Sequence, residues 1–194
     1  METAMIELNR IALDEKKSTK TVKHLNEILS NYQVFYQNLR GFHWNLLGHH
    51  FFSLHVKFEE LYNEAQLNID EIAERILTLG HTPLHTYEDY LNNSTVKVHK
   101  NVSDEIKSVE LIIQDYAVII KKEREIMPIA DDASDEGTAD MIAGFIKIQE
   151  KTVWMLSAWL GSNGNAKASR NGNSKEKENV KENGKESKNG KNKK

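Results

Sequence analysis

Five side chains able to bind a metal, His43, His55, Glu59, Asp70 and Glu74, lie close together in the chain. A mixture of imidazole and carboxylate donors suits iron(II), manganese(II) or zinc, and with open coordination positions it suits iron redox chemistry. The chain has no cysteine, so thiolate metal sites and disulfides are excluded. His55 and Glu59 are four residues apart, as are Asp70 and Glu74, so each pair shares a helix face. Glu59 and Asp70 are eleven residues apart, close to three whole turns, which places both pairs on one stripe. On a straight helix, however, His55 and Glu74 stand ~28 Å apart at ~1.5 Å per residue. One centre cannot use both pairs from one helix. Either the stripe is a solvated face, or a second copy of the chain completes the site.

The elements that must position these residues read as four long helices. Val22, Leu25, Ile28, Leu29, Tyr32, Phe35, Tyr36 and Leu39 keep helical period over a first helix from about Thr19 to Leu47, which Gly48 would stop. Leu54, Phe58, Leu61, Ala65, Ile69, Ile72, Ile76 and Leu79 do the same for a second, from about Phe51 to Leu79, with Gly80 at its end. A long connection follows, and a short extra helix over Thr86–Ser94, capped by Thr86, is expected within it. Ser103 is expected to open the third long helix, and Val109, Ile112, Ile113, Tyr116, Ile119 and Ile120 form its apolar face. Residues 129–140 break the pattern. The last helix starts near Ser134 and carries Met141, Ile142, Phe145, Ile148, Val153, Trp154, Leu156 and Leu160. The fold class predicted is all-α: a ferritin-like four-helix bundle, its single crossover and short extra helix lying between the second and third long helices.

Composition divides the chain in two. Residues 161–194 carry nine Lys and one Arg against four Glu, a net +6, which leaves −9 on residues 1–160 out of a total of −3. The basic segment contains one branched apolar residue, Val180, and no aromatic. It cannot bury enough surface to offset its ordering entropy, so a 1–160 domain with a disordered 161–194 tail is expected. Such a tail could bind DNA phosphates, or only solubilise the particle. No apolar run approaches the ~20 residues of a membrane span, and the start alternates apolar and charged residues unlike a secretory leader. A soluble, cytoplasmic protein is the expectation, nucleoid-associated if DNA is bound.

A tight hairpin of the first two long helices brings His43 and His55 to similar height, with Glu59 one turn further along. Asp70 and Glu74 join them only if a partner's second helix runs antiparallel across this one, as a two-fold axis would arrange. Each dimer would then hold two equivalent sites. The bland alternative is a solvated face with structural histidines. His55, Glu59, Asp70 and Glu74 are read as bordering the buried stripe, where charge needs a partner. Asp131, Asp132, Asp135, Glu136 and Asp140 form an acidic cluster at the entry to the last helix. They are either favourable charge at a helix N-terminus or carboxylates lining a cation-entry pore, with Glu136 and Asp140 the stronger pore candidates.

The stretch YQNLRGFHWNLLGHHFFSLHVKFEELYNEAQLNIDEIAERILTLG (36–80) resembles the Dps family of mini-ferritins, through FHWN with Gly48, FxxLHxxFEELY and DxIAER. EGTADMI followed by EKTVWML (136–156) is similar to it as well. The resemblance implies a homododecamer built from two-fold dimers around a cavity, with a ferroxidase centre at each dimer interface. It implies oxidation of Fe²⁺, with hydrogen peroxide the favoured oxidant, and storage of Fe³⁺. The family's ligand positions fall on His43, His55, Glu59, Asp70 and Glu74, with two irons per site. Glu59 stands where the family often has Asp, and pore acids fall in the 131–140 segment. Trp44 resembles a family residue near the centre, and either intercepts stray oxidising equivalents or simply packs. Two other readings stand beside the ferroxidase: a DNA-compacting stress protein acting through its tail, and a metal-free bundle.

Overall fold

The computed structural model describes residues 8–186, with side chains to Gly161. Five helices account for the described residues, with no β-strand among them: α1 (Glu15–Asn45), α2 (Phe51–Thr78), α3 (Tyr87–Asn93), α4 (Glu105–Asp132) and α5 (Glu136–Glu186). Of the tail expected to be disordered over 161–194, residues 187–194 lie outside the described residues, and α5 extends through the rest as far as Glu186, described beyond Gly161 by its backbone alone.

Residue pairs give the helix directions. Between α1 and α2, His43 meets His55, Tyr36 meets Tyr62 and Tyr32 meets Asn68. Numbers fall on one helix as they rise on the other, so the two are antiparallel. Asn38 meets Asp115, Phe35 meets Tyr116 and Tyr32 meets Glu123, so α1 and α4 are antiparallel too. Hence α2 and α4 run the same way, and the segment between them must travel the length of the bundle. That is the ferritin-like topology expected from the long connection. The core along the bundle axis includes Leu25, Leu29, Phe35, Leu39, Phe58, Leu61, Ile72, Ile112 and Ile119, all buried.

Helix ends follow local chemistry. Asp14 caps α1 by accepting from the Lys17 N–H, so the helix begins about a turn before the apolar period does. Thr86 caps α3 as expected, accepting from the Asp89 N–H. Asp104, not Ser103, caps α4: its carboxylate accepts from the Lys107 N–H at 2.8 Å. The Ser103 carbonyl instead accepts from the Leu47 N–H at 2.9 Å. The break expected over 129–140 narrows to the turn 133–135, because α4 continues through Pro128 to Asp132. Pro128 is exposed, and its ring costs the helix one hydrogen bond near its end rather than in its middle. In α5, Ile148 and Trp154 face outward, while Gln149 and Thr152 take positions facing the core.

The crossover has few backbone partners of its own, and three asparagines of α1 supply them. Asn26 Oδ1 accepts from the Leu84 N–H at 2.8 Å. Asn31 Oδ1 accepts from the N–H groups of Thr95 and Val96 and the Ser94 hydroxyl. Asn38 accepts from the His99 N–H and donates to the Lys97 carbonyl. Backbone groups of an irregular segment crossing a bundle face are thereby satisfied. Replacing Asn31 with Ala strands the Thr95 N–H and leaves the Val96 N–H only the Ser94 hydroxyl, and thermal unfolding should show a loss of about 1–3 kcal/mol. An unchanged melting curve would remove Asn31 from this role.

Candidate metal centre

The two imidazoles are brought together by the turn between α1 and α2. Gly48 sits there at φ +144°, and a Cβ on it would lie 2.4 Å from Glu105 Oε2. Glu105 needs that space to reach the His50 N–H, from which it accepts at 3.0 Å. The turn is therefore held against the start of α4, and the end of α1 is set beside the start of α2.

His43 and His55 stack with ring centroids 3.7 Å apart and an interplanar angle of 19°. Each Nδ1–H donates to the other residue's backbone carbonyl, at 2.8 Å from His43 and 3.0 Å from His55. A carbonyl only accepts, so both Nδ1 atoms must carry the hydrogen. In the neutral imidazoles both Nε2 atoms then have free lone pairs, the state a metal ligand requires. The His43 carbonyl is available because it belongs to the last turn of α1. Phe51 stacks on the far side of His55 at 4.9 Å, and Tyr62 meets His43 edge-on at 5.4 Å. His43 is buried and His55 half-buried.

The carboxylates stand apart from this pair. Glu59 is exposed and faces the Tyr62 phenol, whose pKa is raised by desolvation first and by the Glu59 charge second. Asp70 and Glu74 are exposed on the second half of the uninterrupted α2. Among the described residues of one protomer, no three His, Asp or Glu side chains gather into a metal-holding group. Glu59 therefore does not join the two imidazoles in one protomer, and Asp70 and Glu74 remain at the other end of the rod.

The expectation that all four α2 residues border the buried stripe needs correction. Taking ~100° per residue, only His55 does so; Glu59, Asp70 and Glu74 point away from Leu54, Phe58, Leu61 and Ile72. They lie instead on a second row that contains Phe52, Val56, Leu67 and Leu77. Those four are exposed, Phe52 to 84% and Leu67 to 71%. The acids thus stand in a row of uncovered apolar residues rather than on a uniformly polar face.

The acidic cluster also divides. Asp135 is buried, ion-paired with Arg75, and caps α5 by accepting from the Thr138 N–H at 2.9 Å. Arg75 Nε donates to the Thr138 hydroxyl at 3.0 Å, and Gly137 leaves room for the guanidinium. Asp132 pairs with Lys17 at 3.3 Å. Asp131, Glu136 and Asp140 are exposed and, with Met127, line an open depression of about 350 Å³. Trp44 is 57% exposed beneath the Arg40 guanidinium, which lies 4.6 Å from its ring, so it does not pack into the protomer core.

Sequence reading assigned no role to Tyr62 or His99. His99 is in fact paired with the buried Asp115 at 3.0 Å, and Asn38 donates to the same carboxylate. A legible signal existed: Asp115 and Glu123 fall in the apolar period of α4, among Ile112, Tyr116 and Ile119.

An up-down-down-up helical bundle with one histidine at the end of its first helix and a histidine and carboxylates on its second is a ferritin-like protein. The ferritin-like domain family matches residues 22–163. The Dps crystal structure from Vibrio cholerae O1, described as a member of a superfamily of ferritin-like diiron-carboxylate proteins, superposes with a TM-score of 0.78. It is 45% identical, over 82% of this chain and 99% of that one. The DNA protection during starvation protein of Porphyromonas gingivalis is 42% identical, over 76% of this chain and 92% of its own. General stress protein 20U of Bacillus subtilis is 37% identical, over 74% and 99%. The chain belongs to the Dps family. Among the described residues, no helix is long and apolar enough to cross a membrane.

The two kinds of acid separate by mutation. Asp135→Ala leaves Arg75 without its partner and α5 without its cap, and should cost roughly 3 kcal/mol or more. Asp140→Asn, at an exposed position, should stay within about 0.5 kcal/mol. Thermal melts in which the two variants behave alike would contradict the division.

Proposed function

We propose that the protein is a Dps-type ferroxidase and iron store whose centre is shared by two protomers. The observation that carries this reading is the locked imidazole pair, with both Nε2 atoms free beside a row of exposed acids and apolar residues that one protomer leaves uncovered. A partner's α2 laid antiparallel across this row would cover Phe52, Val56 and Leu67. It would also bring the partner's second-half carboxylates, equivalent to Asp70 and Glu74, to the imidazoles. Two-fold symmetry repeats the arrangement, so each dimer carries two sites.

Fe²⁺ is the substrate. Asp70 and Glu74 supply hard anionic oxygens, His43 and His55 supply nitrogen, and Glu59, reaching one methylene further than Asp, completes the set for two ions. Each of two Fe²⁺ gives one electron to hydrogen peroxide, which leaves as hydroxide without a free radical. Twelve protomers around a cavity would store the Fe³⁺ product. Asp131, Glu136 and Asp140 would draw cations toward an entry pore by focusing a negative field. The exposed Trp44 would intercept stray oxidising equivalents. The name of the Porphyromonas gingivalis relative supports a role in DNA protection, and the +6 charge of residues 161–194 supports contact with DNA phosphates.

Complementation tests the shared centre. His43→Ala/His55→Ala and Asp70→Asn/Glu74→Gln chains should each lose rapid Fe²⁺ oxidation when peroxide is added. Unfolded together and reassembled, they should recover about a quarter of the wild-type sites, because half the dimers are mixed and each mixed dimer has one intact site. A centre contained within one chain recovers nothing in that mixture.

The tail has its own test. A chain ending at Leu160 should lose DNA binding at low salt while keeping its oxidation rate. Intact protein should release DNA steeply as salt rises. Equal DNA shifts from both chains would place the contact elsewhere.

A further inference from the structure

Each of the four long helices sends one polar side chain to a common level inside the bundle: Tyr32 from α1, Asn68 from α2, Glu123 from α4 and Gln149 from α5. All four are buried, and Glu123 is wholly inaccessible. Asn68 Nδ2 donates to the Tyr32 oxygen at 3.2 Å, and the Tyr32 hydroxyl donates to Glu123 Oε1 at 2.9 Å. Gln149 Nε2 donates to Glu123 Oε1 at 2.8 Å and to the Tyr32 oxygen at 2.5 Å. None of these residues belongs to the metal centre.

The carboxyl group is used unevenly. Oε1 takes two donors, while Oε2 is buried and takes none. An ionised carboxylate spreads its charge over both oxygens, and a bare buried oxygen of that kind is costly. A carboxylic acid has one carbonyl oxygen that accepts and one hydroxyl that donates. Gln149 Oε1 is the other buried oxygen of this cluster without a donor. A hydroxyl at Oε2 is the donor the cluster lacks, and the amide oxygen is the acceptor it lacks. Among the described residues no buried cation offers an alternative: Arg124, the charged neighbour, is exposed and paired with Glu150.

We propose that Glu123 is a protonation site at the centre of the bundle, holding its proton below neutral pH, and that its ionisation loosens the packing of the four long helices. Burial acts in the same direction and raises its pKa from 4.5 to about 7, against the opposing hydrogen bonds of Gln149 and Tyr32 and the field of Arg124. The other titratable groups facing it are phenols, Tyr32 of α1 and Tyr116 of α4. Burial foremost, with the Glu123 charge adding to it, pushes both above their usual pKa, so they stay protonated. From α5 the Gln149 amide donates to it; from α2 the Asn68 amide reaches the Tyr32 oxygen, and the Glu64 carboxyl, whose own pKa burial raises, acts on Tyr116.

The sign follows from linkage. The folded pKa lies above the unfolded one, so the neutral acid's contribution is complete below the unfolded value and is lost as pH rises through the folded value. Between pH 5 and pH 8 the unfolding equilibrium constant should rise by roughly 70-fold through this group. Full-length wild type and Glu123→Gln, which keeps the shape without the titration, are compared by guanidinium unfolding across that range. Infrared difference spectra should show the carbonyl band of a buried carboxylic acid in wild type, fading with a midpoint near pH 7 and absent from Glu123→Gln. A wild-type pH profile unchanged in Glu123→Gln, or no such band at pH 6, overturns the proposal. If Glu123→Gln does not assemble, Gln149→Leu removes the partner of the hydroxyl and must shift the wild-type band. A band that stays in place also overturns it.

Discussion

The advance of an α-helix along its axis, ~1.5 Å per residue, sets the terms for this protein. α2 runs without interruption from Phe51 to Thr78, so the imidazole end and the Asp70–Glu74 end cannot meet within one protomer. Any centre that uses both ends must be assembled by symmetry. The row on which those acids stand is also the row on which α2 leaves large apolar side chains uncovered. Under the proposed function, chemistry and association would draw on the same helix face, and covering the apolar residues and completing the donor set would be one event.

Around this rod, buried polar groups act as locators rather than as a source of net stability. Asparagines at 26, 31 and 38 hold an irregular crossover against α1. Arg75, one residue beyond Glu74, reaches across to the cap of α5, so the carboxylate end of α2 and the acidic entry of α5 are set relative to each other. Glu105 holds the α1–α2 turn and with it the stacked imidazoles. Each pair is costly to break, because one partner is left unsatisfied away from water. The core hydrophobes alone would permit sliding of one helix along another; these pairs specify the register.

Much of the fold was legible from local pattern. Apolar residues in steps of three and four located every long helix, and Thr86 located α3, because those signals depend on neighbours within a turn or two. Errors arose where two residues competed for one role. Ser103 and Asp104 both suit an N-cap, and the choice rests on Leu47, distant in sequence, which engages the Ser103 carbonyl. Asp135 and Asp140 look alike in a run of acids, yet Arg75 claims only the first. Ile148 and Trp154 carry helical spacing but lie on the outward side of α5. The placement of Glu59, Asp70 and Glu74 beside the buried stripe failed because the second apolar row of α2 was not separated from the first.

The sequence by itself determined the class of fold, the donor types and the separation of the donors along one helix, since composition and helical rise need no knowledge of neighbours. It also pointed to a second protomer as the means of joining them. The tertiary structure decided which ring nitrogens are engaged, because each imidazole's Nδ1 is held by a carbonyl from the other helix. It decided which acids are structural, and it enclosed Glu123 among three other helices. Hydrogen-bond partners far apart in the chain are chosen by how helices pack, and no local periodicity encodes that choice.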